Sequence, residues 1–142
     1  MSKKSPKIAA LIAHRQGGRQ PAQYLGYFDC FNAGLYYDAH DVLEELWLAN
    51  GRAASNYAFY KGLIQLAGAF VHLQKERLRP AVALFNLAEV NLNRYPAEHE
   101  ACNVAAALAL LSDWRGAVEA GDFLCNPLRH RAEPQLRVRE DS

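Results

Sequence analysis

The sequence predicts an all-α protein, a compact antiparallel helical bundle of about five to six helices. Three observations carry this expectation. Apolar residues recur at intervals of three and four, and no stretch alternates apolar with polar residues over strand length. Gly and Pro fall at the ends of the periodic segments rather than inside most of them. The connections between segments are short, roughly 2–6 residues, which favours antiparallel neighbours. With 142 residues, of which 51% are hydrophobic, the chain can bury one packed core and does not have the composition of a disordered protein.

Taken in order, the first helix spans about 22–33 and ends near Gly34. The second spans about 36–49 and stops at Asn50-Gly51, where Gly51 suits the left-handed residue after a helix. The third covers about 55–76, with Ser55 or Asn56 able to cap its first turn. Pro80 fits the opening turn of a fourth, which runs to Tyr95 before Pro96. A fifth covers about 97–111, and Ser112 or Asp113 caps a sixth over 113–121. Pro127 and Pro134 mark an irregular tail. The domain reading is therefore a flexible basic arm over 1–20, one helical domain over 21–126, and an irregular C-terminal tail over 127–142.

Charge is uneven although the total is +1. Residues 1–20 carry five basic residues and no acid, and residues 129–142 carry four Arg against three acids. The middle holds seven basic and twelve acidic residues, a net of −5. An acidic body with basic ends does not resemble a nucleic-acid binder, whose basic residues cluster on a folded face. The apolar runs are far shorter than the ~18–20 residues of a membrane span, so no membrane association is expected. Cys30, Cys102 and Cys125 are odd in number, form no CxxC pair, and fit buried thiols in a reducing cytoplasm.

The segment 36–47, YYDAHDVLEELW, holds four acids and one histidine and no Lys or Arg. On a helix centred on Leu43, the residues Tyr36, Ala39, Leu46 and Trp47 form the buried stripe, and Asp38, Asp41 and Glu45 turn to water. His40 and Glu44 lie one turn apart at the edge of the core. Trp47 belongs to the core, and Glu44 is a candidate partner for its indole N–H. The third helix carries a stripe of small and polar residues, Lys61, Gly62, Gln65, Gly68, Ala69 and His72, opposite a broad apolar face. Helical glycines cost about 1 kcal/mol each against Ala, so two on one stripe point to close approach of a backbone or a ligand. If that stripe faces the second helix, His40, Glu44, Gln65 and His72 converge, with Lys61 at one end. Two imidazoles and a carboxylate suit a divalent transition metal such as zinc, with His40, Glu44 and His72 as its ligands and positions left open for water. A metal-free version has Glu44 orient His40 as a general base. The carboxylate and E-x-x-H pattern of di-iron bundles is missing.

The run FNAGLYYDAHDVLEELW, then YKGLIQLAGAFVHL, then an A-x-x-L-F-x-x-A helix resembles the domain of unknown function 309 family across about residues 28–96. The resemblance implies a small all-helical protein of a kind found in bacteria and archaea and sometimes labelled metal-dependent hydrolases. It also implies that His40, Glu44, Trp47, Gln65 and His72 occupy the family's motif positions. The family commonly has Glu directly after the motif histidine; this chain has Asp41. The usual short turn after the third helix is replaced here by QKERLRP.

Two readings of function stay open at this point. In one, the pocket binds a metal or a small polar ligand, as a hydrolase at most. In the other, the polar cluster is structural and the chain is an interaction or scaffolding module. Residues 63–96 mimic one tetratricopeptide-like hairpin, but a solenoid needs about three repeats. The apolar helix at 104–111 offers a third option, a homodimer interface.

Overall fold

Tyr24, Tyr27 and Phe31 repeat at intervals of three and four, and that spacing puts three large rings on one helix face. The computed structural model describes residues 5–139 and realises the pattern as α2, Ala22–Asn32, with all three rings fully buried. Before it stands α1, Ser5–Ile12, and a single 3-10 turn, Ala13–Arg15. After it come α3, Tyr36–Asn50, α4, Tyr57–Gln74, and α5, Leu78–Leu92. A two-stranded hairpin follows, β1 Glu98–His99 with β2 Cys102–Asn103, then α6, Val104–Ala120. No helix among the described residues is long and apolar enough to cross a membrane.

The helices form a bundle in which α3 packs between α2 and α4, and α5 lies along α4 with α6 behind it. Phe70 sits at the centre. Its ring is 5.5 Å from Phe31, 5.1 Å from Tyr36, 5.4 Å from Phe85 and 5.1 Å from Trp114, so one side chain joins α2, α3, α5 and α6. Tyr27 is buried with its hydroxyl donating to the Leu63 carbonyl at 2.6 Å, so the polar tip of an apolar residue is satisfied inside the core.

The bundle reading holds, and several boundaries move. The fifth and sixth expected helices are one, α6, because Val104, Ala107, Leu111, Trp114 and Val118 keep their interval of three or four through residues 112–113. Ser112 and Asp113 are therefore mid-helix and exposed, and the cap is Asn103, whose side chain accepts from Ala106 N–H at 2.9 Å. Residues 98–103, expected to be helical, form the hairpin instead. Asn56 stands at the start of α4, yet its side chain makes no cap bond; it meets His99 Nε2 at 2.6 Å and donates to Glu100 at 3.3 Å. The apolar positions of α6 once available for a dimer, Val104, Ala107 and Leu111, are spent on the chain's own core.

The ends also depart from the expected arm and tail. Residues 5–15 are helical, and Ile8 and Ile12 are buried, one turn apart. Gly26 makes room for Ile12: a β-carbon there would stand 2.5 Å from Ile12 Cγ2. Residues 1–4 of the expected arm and 140–142 of the expected tail lie outside the described residues. The rest of the tail has little regular structure but is held closely. Asn32 donates to the Leu136 carbonyl and accepts from the Leu136 N–H, both at 2.7 Å, and Asn126 donates to the Leu73 carbonyl at 2.6 Å. Val138 bridges to Cys102, and Arg139 N–H donates to the Ala101 carbonyl at 2.7 Å. Cys30 and Cys102 are buried thiols, and burial pushes Cys102 up to about 12; Cys125, expected to be buried, is exposed.

Candidate functional site

The helix α3 carries the histidine and the acids, and its position decides which of them meet. His40 lies on the side that faces α4. Its Nδ1 is 3.2 Å from Asp41 Oδ1, and its Nε2 is 3.8 Å from Glu44 Oε2. The imidazole thus stands between two carboxylates of its own helix, one for each ring nitrogen. Donor atoms of these three residues all lie within 4.8 Å of one another.

Asp41 was expected to face water, and it is buried at 9% exposure. The two acids grouped with it are also engaged: Asp38 pairs with Lys7 at 2.7 Å, and Glu45 accepts from Gln23 at 3.3 Å. The cause is the helical N-terminus. With α1 and α2 packed against α3, the side opposite Leu43 is covered by protein, which a wheel of α3 alone does not reveal. The residue that follows His40 in sequence, Asp41, thus meets the histidine itself.

Next to His40 opens a cleft of about 280 Å³ between α3, α4 and α5. Tyr37 and His40 form one wall, and Gln65, Gly68 and His72 the other. Ile64, Val71 and Leu84 supply an apolar lining, and Lys75 stands at the end of α4. The Lys75 ammonium sits 5.9 Å from the Tyr37 ring centre, and the Tyr37 ring is 6.0 Å from that of His40. Gln65 is held by α5: its Oε1 accepts from Asn91 Nδ2 at 2.7 Å. His72 has a buried Nδ1 with no partner among the described residues. Burial first, then Arg77 and Lys75, lowers its pKa, so the ring is neutral at pH 7 and carries a lone pair.

The expected pocket is therefore split. His40, Gln65 and His72 share the cleft. Glu44 lies one turn along α3 beside His40 and outside the lining, and His72 is not among the donors grouped with His40. Trp47 and Lys61 belong to a separate patch: the Trp47 ring is 5.1 Å from that of Tyr57, and Lys61 Nζ is 5.7 Å from the Trp47 centre. Glu44 does not take the indole proton; Trp47 Nε1 is buried without an acceptor among the described residues.

The small-residue stripe serves a different neighbour from the one expected. A β-carbon on Gly62 would lie 2.9 Å from both Leu92 Cδ2 and Leu92 Cγ, and one on Gly68 would lie 3.0 Å from Leu84 Cδ1. The glycines admit α5, whose Leu84 also lines the cleft. Tyr37, Asp41, Lys75 and Leu84 were missed at the sequence level. Tyr37 and Lys75 had a signal, each being one turn from a cleft histidine. Asp41 and Leu84 had none, since their placement depends on α1 and α5.

No curated protein and no solved structure matches the chain. The sequence model of a domain of unknown function (DUF309) matches residues 24–84, which take in most of α2, all of α3 and α4 and the first half of α5, and with them every residue that lines the cleft. Over that segment, 61 of the 142 residues, the chain is similar to the DUF309 family.

Proposed function

We propose that the α3–α4–α5 cleft is a small-ligand site and that a divalent transition metal at His40 anchors the ligand. One observation carries this reading: an imidazole set between two carboxylates opens onto a cleft whose far wall holds a half-buried histidine with a buried Nδ1 that has no partner among the described residues. One imidazole and two carboxylates are borderline-hard donors that suit zinc or a neighbouring divalent ion. His40 and Glu44 would hold it, and Asp41 would fix the ring through Nδ1, the outer-shell arrangement common to ligating histidines. Such an ion supplies Lewis acidity and a docking point for an anionic or carbonyl oxygen. His72, Gln65 and Tyr37 offer hydrogen-bonding atoms around it, and the apolar lining takes the body of the ligand. No reaction is assigned.

The test is metal uptake by the full chain. Cobalt(II) absorption and elemental analysis are to be run on the wild type, His40→Ala and His72→Ala. Near-stoichiometric uptake, lost about tenfold or more in affinity for folded His40→Ala, supports the site. A wild type that takes up no metal ends the metal half of the reading. The second reading, an interaction module with a structural cluster, draws on buried Asp41 and on Gln65 being engaged by Asn91. It expects His40→Ala to lower the melting temperature and to change no binding.

A further inference from the structure

A second cavity, larger than the cleft, lies at the other end of the bundle. It has a volume of about 630 Å³ and is floored by the loop after α1, residues 14–20, reading HRQGGRQ. Its far wall is the hairpin turn Glu100-Ala101 together with Arg139 from the tail.

The charge of the lining is one-sided. Among the described residues Arg15, Arg19, Arg139 and His14 line it, against a single acid, Glu100, which accepts from Asn56 at 3.3 Å. Two of the arginines are aimed by carboxylates that do not line the cavity. Asp29 takes Arg15 Nε at 2.8 Å and a terminal nitrogen of Arg15 at 2.6 Å, and Glu98 takes Arg139 at 2.6 Å. Hydrogen bonds from Arg15, ahead of its charge and of His14, hold the Asp29 carboxyl below the usual range, so this support stays ionised. Arg19 is exposed and makes no ion pair among the described residues. The backbone adds donors. Gly17, Gly18, Arg19 and Gln20 have N–H groups with no acceptor among the described residues, and Gly17 has φ +86, a turn that lets successive amides point the same way.

The hairpin wall shows that the cavity shape is maintained at a cost. Glu100 and Ala101 both have left-handed backbone, φ 50 and 61, in a two-residue turn where Asn-Gly is the usual choice. They are clamped there: Tyr24 hydroxyl donates to the Glu100 carbonyl at 2.8 Å, and Arg139 N–H donates to the Ala101 carbonyl at 2.7 Å. Strained non-glycine turns persist where the surroundings over-determine them, and they concentrate at ligand clamps.

We infer that this cavity binds the phosphoryl group of a small phosphorylated molecule, with Arg15, Arg19, Arg139 and the free amides of residues 17–20 as its recognition elements. The volume falls in the range for a nucleotide- or sugar-phosphate-sized ligand, larger than inorganic phosphate needs. Arginine forks and backbone amides suit phosphate oxygens better than they suit a spherical anion.

The experiment is calorimetry and amide chemical-shift mapping on the full chain, with inorganic phosphate, pyrophosphate, ATP and ribose 5-phosphate as probes against chloride at matched ionic strength. The variant is Arg19→Gln, at an exposed residue with no hydrogen bond or ion pair from its side chain among the described residues. Expected are saturable binding of at least one organic phosphate, shifts at Gly17, Gly18 and Ala101, and a loss of about tenfold or more in affinity for Arg19→Gln with an unchanged melting temperature. Binding of inorganic phosphate or pyrophosphate alone, with no gain from an organic moiety, overturns the assignment of a small phosphorylated molecule. So do shifts confined to the α3–α4 cleft, equal affinity for the wild type and Arg19→Gln, or no saturable binding of any probe.

Discussion

Replacing each of the two glycines of α4 by alanine separates what the stripe does for the fold from what it does for the cleft. Alanine improves helix propensity by about 1 kcal/mol at either site. At Gly62 the new methyl meets two atoms of Leu92 at 2.9 Å and Asn91 Cβ at 3.2 Å; Leu92 is fully buried, so neither can retreat cheaply. Overpacking of that kind costs roughly 1–3 kcal/mol, so the net effect of Gly62→Ala is a loss of about 0–2 kcal/mol. At Gly68 the methyl meets only Leu84 Cδ1, at 3.0 Å, the far end of a half-buried side chain that can rotate. Gly68→Ala should gain up to about 1 kcal/mol. The two variants should therefore differ by about 1–3 kcal/mol in urea unfolding at constant slope, or several degrees in midpoint temperature. Gly68 also lines the cleft, so the more stable variant should be the one that binds a cleft ligand less well. Equal stability shifts in the two variants would refute the assignment of the stripe to α5.

Three further outcomes are expected. The folded-state pKa of His72 lies below 6.5, so the unfolded chain binds its proton first as pH falls; stability contributed by this ring is intact above about pH 6.5 and declines toward the lower folded-state value, and His72→Gln should flatten that part of a stability–pH curve. Tyr27→Phe leaves the Leu63 carbonyl without its 2.6 Å donor and should lower stability by about 1–2 kcal/mol, whereas an unchanged denaturant midpoint would show that the bond contributes nothing net. Asn103→Ala removes the cap of α6 and should cost about 1 kcal/mol, while Ser112→Ala and Asp113→Ala, on the exposed middle of the same helix, should stay within about 0.5 kcal/mol by the same unfolding assay.

The helices that carry the candidate site were legible because their cores are periodic. Leu43 with Tyr36, Ala39 and Leu46 marks α3, and Phe59, Leu63, Leu66 and Phe70 mark α4. The His40–Glu44 pairing and the shared cleft of His40, Gln65 and His72 follow from those periods once α3 and α4 are neighbours. What failed was information that lives in a third element. Asp41 reads as exposed until α1 is known to cover it, and Ile8 and Ile12 are too few apolar residues to announce a docked helix. The stripe of Gly62 and Gly68 does announce a close approach, but nothing in α4 names the partner as α5. The break at 112–113 was inferred from two capping residue types, and the longer apolar period from Val104 to Val118 overrides them. The hairpin at 98–103 has no alternation to show, since its strands are two residues each.

The closing of the tail over the hairpin gives the molecule a latch. Leu136 reaches back to Asn32 across 104 residues of sequence, and Arg139 and Val138 rest on Ala101 and Cys102. Leu136 is buried in the core, so the segment is held by packing as well as by these bonds. Opening it withdraws Arg139 from the basic cavity and frees one clamp on the strained turn. If the cavity takes an anion as proposed, its occupancy and closure of the latch are thermodynamically linked: the anion should slow hydrogen exchange at the Leu136 and Arg139 amides, and loosening the tail should weaken the anion by the same factor.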